Sequence, residues 1–67
     1  MDNLIKELVD TQSLFDKTLR EIGIDYLIYS RTNNTSIIER INEKVEFVKI
    51  LESQIQTIER KIRELKN

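Results

Sequence analysis

The chain has 67 residues, 11 basic against 12 acidic side chains for a net charge of −1, one glycine, and no cysteine, histidine, proline or tryptophan. The missing residue types exclude a disulfide framework, a thiolate or imidazole metal site, and any side chain whose ordinary pKa suits proton transfer near neutral pH. With 39% apolar and 34% charged residues, the sequence is too apolar for a disordered segment and too charged to cross a bilayer. It can form one small domain.

The N-terminus, Met1-Asp2-Asn3-Leu4-Ile5-Lys6, starts acidic and lacks the basic-then-apolar pattern of a signal peptide, so a cytoplasmic protein is expected. From there Ile5, Leu8, Gln12, Phe15, Leu19, Ile22, Tyr26 and Tyr29 recur at alternating spacings of three and four, the heptad signature of a helix with one apolar stripe. This predicts a first helix over about residues 3–30. Gly23 interrupts it weakly, and the β-branched and aromatic run 24–29 leaves a strand as the alternative there.

The segment 31–36, Arg-Thr-Asn-Asn-Thr-Ser, is rich in side chains that compete for backbone hydrogen bonds and reads as a loop. Ser36 followed by Glu39 fits a capping box at the start of a second helix, over about 37–66. Its stripe is Ile37, Ile41, Lys44, Val48, Leu51, Ile55, Ile58, Ile62 and Leu65, with Lys44 the polar exception. Folding the chain back at the loop sets the a positions of one stripe against those of the other, and d against d. The expected fold is therefore all-α, an antiparallel two-helix hairpin of coiled-coil type forming a single unit over 1–67, with an extended parallel coiled coil as the rival. In the hairpin, those two stripes form the seam.

A single seam half-buries each apolar side chain, which is little return for ordering the whole chain. Apolar residues also lie beyond it: Leu4, Val9, Leu14, Ile24, Leu27 and Ile28 on the first arm, and Ile38, Val45, Phe47 and Ile50 on the second. Most crowd toward the loop, where the helices become apolar nearly all round, as helices buried on several sides do. These ten form the expected interaction surface, used in a four-helix bundle or a larger helical complex. Residues 1–30 carry three basic and six acidic side chains, and 31–67 carry eight and six, a weak bias toward antiparallel packing.

The polar candidates have ordinary readings. Gln12 is either a register-setting polar residue of the seam or a tolerated residue at a wet edge. Lys44 is expected to snorkel while Val45 takes its place. Tyr26, Tyr29 and Arg31 suit the closed end of a bundle better than a base-stacking platform. Arg60, Lys61, Arg63 and Lys66 favour the helix C-terminus electrostatically, and Glu39, Glu43 and Glu46 form a solvated face. No catalytic residue, cofactor, metal or small-molecule ligand is expected, and the protein reads as a non-enzyme. The leading expectation is a structural or adaptor protein that pairs with itself or with other helices, as a small subunit, scaffold or assembly chaperone. A regulatory RNA-binding hairpin dimer is the alternative, disfavoured by the net charge.

Overall fold

The computed structural model describes residues 2–66 as two helices, α1 (Asp2–Thr32) and α2 (Ser36–Lys66), which pack antiparallel along their length. The closed hairpin, and not the extended rod, is therefore the fold, and residues 24–29 are helical. Straight through Gly23 the helix continues. A β-carbon added there would meet nothing within 4 Å, so nothing in the packing requires a glycine.

The loop is shorter than the sequence pattern suggests and is built by asparagines. Asn33 takes the left-handed conformation, φ 54°, and its amide donates to the Tyr29 carbonyl at 2.8 Å, which closes the C-terminus of α1. The Thr32 hydroxyl donates to the Ile28 carbonyl and accepts from the Asn34 amide, bracing the turn from inside. Asn34 then starts α2. Its side-chain oxygen accepts from the Ser36 amide at 3.1 Å and the Ser36 hydroxyl at 2.8 Å. The expected Ser36–Glu39 capping box does not form: Ser36 is already the first residue of α2, and Asn34 does the capping from two residues earlier.

The molecule is slender, with Cα extents of 52 × 14 × 13 Å. Among the described residues three apolar side chains are buried, Ile37, Leu51 and Ile58, all on α2. Opposite them α1 places Leu4, Leu8, Thr11, Phe15, Thr18, Ile22, Asp25 and Tyr29 in half-buried or buried positions. Here the structure corrects the sequence-based seam. The row Leu8, Phe15, Ile22 and Tyr29 faces inward as expected, but its companion row is Leu4, Thr11, Thr18 and Asp25. The expected companions Ile5, Gln12, Leu19 and Tyr26 are exposed, as is Leu65 on α2.

The rotation has a physical cause. Thr11 and Thr18 are polar in name only, since their hydroxyls donate to the Glu7 and Leu14 carbonyls one turn back and leave their methyl groups for the seam. Asp25, in the same heptad row, meets the cations of α2. An inward Tyr26 would take that carboxylate away from a half-buried Lys44. Among the described residues no buried side-chain polar atom lacks a hydrogen-bond partner.

Candidate functional site

Because α1 turns this way, the two long edges of the hairpin differ. Along one edge run Glu7, Leu14, Glu21 and Ile28 of α1 beside Arg40, Phe47, Gln54 and Lys61 of α2. The groove that joins Glu7 and Thr11 to Gln54, Ile58 and Lys61 marks this side. Along the other run Ile5, Gln12, Leu19 and Tyr26 beside Ile38, Val45, Glu52 and Glu59. Its groove brings Gln12, Phe15 and Asp16 to Glu52, Ile55 and Glu59.

The first edge is cross-braced by charge. Asp25 is 3% exposed, and its carboxylate accepts from Lys44 Nζ at 2.7 Å and from Arg40 at 3.3 Å. Lys44 also reaches Glu21 at 3.6 Å. Two acids one turn apart on α1 thus interlock with two bases one turn apart on α2. The Lys44 hydrogen bond is the main reason the Asp25 carboxyl titrates below its ordinary 3.8; burial opposes this, and the charges of Arg40 and Lys44 add to it. Lys44 is therefore a bridge to α1 and not a chain snorkelling to water, while Val45 beside it is half-buried as well. Asp25 escaped the sequence reading, although Glu21 and Asp25 stand at the heights where Arg40 and Lys44 must come in a hairpin.

The second edge carries no ion pair among the described residues, since the one remaining pair, Lys49–Glu46, lies within α2. Near the loop it presents Leu19, Tyr26 and Ile38, all exposed, with Val45 half-buried between them. Toward the chain ends the same rows turn polar through Gln12, Glu52, Glu59 and Lys66, with Ile5 the last apolar member and Asp16 and Arg63 lining the adjacent grooves.

Of the ten residues expected to form the interaction surface, Leu4 and Val45 are half-buried within the hairpin, Leu4 as part of its seam. Val9, Leu14, Ile24, Leu27, Ile28, Ile38, Phe47 and Ile50 are exposed. The structure does not gather these eight on one side: Leu14, Ile28 and Phe47 line the ion-paired edge, Ile38 the other, and Val9, Ile24, Leu27 and Ile50 the outer surfaces. Leu19 and Tyr26, assigned by spacing to the seam, join the exposed set. Arg31, Glu39, Glu43, Glu46, Arg60, Lys61, Arg63 and Lys66 are exposed too, and the described residues hold no cluster of three acidic side chains able to share a metal ion. Among the described residues no helix is long and apolar enough to cross a membrane. The chain has no match among known families: no family model, no curated protein and no solved structure is significantly similar to it.

Proposed function

We propose that the protein is a non-catalytic adaptor or structural subunit that works by packing its apolar helix faces against other helices, its own copies included. The observation that carries this reading is the balance of buried and exposed apolar groups. Among the described residues three apolar side chains are buried, whereas twelve large ones stand exposed. Exposed apolar side chains in this number on so short a chain are the kind of surface by which helices pack on other helices.

The reading is tested by a hydrophobic dye together with sedimentation at micromolar concentration. The chain is expected either to sediment above its 8.0 kDa mass or to bind the dye strongly as a folded monomer. A folded monomer that binds no dye contradicts it.

A further inference from the structure

We infer that the Asp25–Lys44 ion pair is a rotational latch. It holds α1 in one of two packings open to this hairpin. A chain without it turns α1 by one heptad row, which draws Leu19 and Tyr26 into the seam and puts Thr18 and Asp25 outside. Three adjacent rows of α1 make the second packing available. The middle row, Leu8, Phe15, Ile22 and Tyr29, faces inward in either. On one flank lie Leu4, Thr11, Thr18 and Asp25, turned inward; on the other lie Ile5, Gln12, Leu19 and Tyr26, all exposed. Exchanging the flanks takes a seventh of a turn, about 50°.

Position by position the exchange is uneven. Leu4 for Ile5 and Thr11 for Gln12 change little. Thr18 and Asp25, buried at 4% and 3% exposure, give way to Leu19 and Tyr26, which now stand 44% and 62% exposed. Apolar burial therefore favours the turned packing. Thr18 loses no hydrogen bond by leaving, since its hydroxyl donates to the Leu14 carbonyl of its own helix. What opposes the turn is the charge cluster alone. The Asp25 carboxylate accepts from Lys44 Nζ at 2.7 Å and from Arg40 at 3.3 Å, and Lys44 also reaches Glu21 at 3.6 Å. Among the described residues no other ion pair joins the two helices. Lys44 is the inner half of the latch, its side chain 25% exposed against 58% for Arg40. A buried pair of this kind adds little net stability over apolar packing, but losing one partner strands the other, so it selects between packings of similar energy. The latch thus decides whether Leu19 and Tyr26 stand outside, within reach of another helix, or inside.

The chain carries its own reporter, having two tyrosines and no tryptophan. In a Tyr29→Phe background Tyr26 is the only one left, and acrylamide quenching of its fluorescence reads its exposure. Lys44→Leu removes the cation and completes the apolar stripe of α2. It is expected to stay helical by circular dichroism and to lower the quenching constant of Tyr26 roughly twofold or more, as an inward heptad row requires. Lys49→Leu is the control, because Lys49 pairs at 3.2 Å with Glu46 of its own helix; it should leave the quenching unchanged. Should Lys44→Leu lose its helices, Lys44→Gln carries the same expectation.

Helical Lys44 variants in which Tyr26 is quenched as freely as in the parent overturn the latch, and so does an equal fall in Lys49→Leu. Loss of the helices in both Lys44 variants overturns it too, since the pair would then hold the hairpin together and not its rotation. Shielding of Tyr26 that disappears on dilution assigns the cover to another copy; it overturns the latch and leaves the docking reading standing. A folded monomer that binds no hydrophobic dye, yet shields Tyr26 in Lys44→Leu, removes the docking reading and leaves the latch.

Discussion

The two long edges of the hairpin come from the same pair of helices and end up chemically opposite. On one, four charges from two helical turns interlock across the seam; on the other, Leu19, Tyr26 and Ile38 are left open. The difference teaches how a helix with more apolar rows than one partner can cover chooses which row to leave outside. Hydrophobicity alone favours burying Leu19 and Tyr26. The cations of α2 decide otherwise: satisfying Lys44 turns Asp25 inward, Thr18 and Thr11 follow in the same heptad row, and the more apolar row is displaced to the surface. A largely apolar row of α1, Ile5, Leu19 and Tyr26 about Gln12, is thereby left exposed beside the inward row Leu8, Phe15, Ile22 and Tyr29.

Replacing residues that the two edges share or divide should sharpen this contrast. The largest effect is expected at Leu51, 3% exposed in the seam: Leu51→Ala should cost about 2–5 kcal/mol in denaturant unfolding. Its outward neighbour gives the control, since Ile50→Ala should stay within about 0.5 kcal/mol. Next comes Gln12→Ile, which fills the polar gap in the open edge. Full burial of the new side chain contributes up to about 1.5–3 kcal/mol, and the gain in melting temperature should grow with protein concentration. A gain independent of concentration would return Gln12 to the internal seam.

The loop offers an intermediate effect. Asn33→Ala should cost about 1–2 kcal/mol, because alanine resists the left-handed conformation that asparagine tolerates, while Asn33→Gly should be close to neutral by thermal melting. Gly23→Ala should stabilise the chain by about 1 kcal/mol, through helix propensity alone, since the position is open. The smallest change belongs to the ion-paired edge in acid. With a folded pKa below 3.8, Asp25 contributes stability that is complete above 3.8 and lost as the pH falls through the folded midpoint beneath it. Melting temperatures of Asp25→Asn should accordingly lie below wild type at neutral pH and converge with it in strong acid.

Much of this was legible in the residues. The heptad spacing of Leu8, Phe15, Ile22 and Tyr29, and of Ile37, Leu51 and Ile58, locates both helices and half of the seam, and the polar run 31–36 locates the fold-back. What spacing could not decide was rotation. A row is ranked by the apolar character of its members, and Thr11, Thr18 and Asp25 rank below Gln12, Leu19 and Tyr26. Their burial depends on partners that ranking ignores, namely the helix's own carbonyls for the threonines and Lys44 for Asp25. The asparagine caps were hidden for a related reason, since Asn33 and Asn34 act through local backbone geometry and Ser36 offered an equally good local signature.

The most direct test of the rotation is an NMR titration of the Asp25 side-chain carboxyl in wild type and in Lys44→Gln. If Asp25 faces α2 beneath Lys44, its midpoint lies below 3.8 in wild type and rises in the variant. A midpoint at or above 3.8 that Lys44→Gln leaves unmoved would contradict the orientation of α1, and with it the exposure of Leu19 and Tyr26.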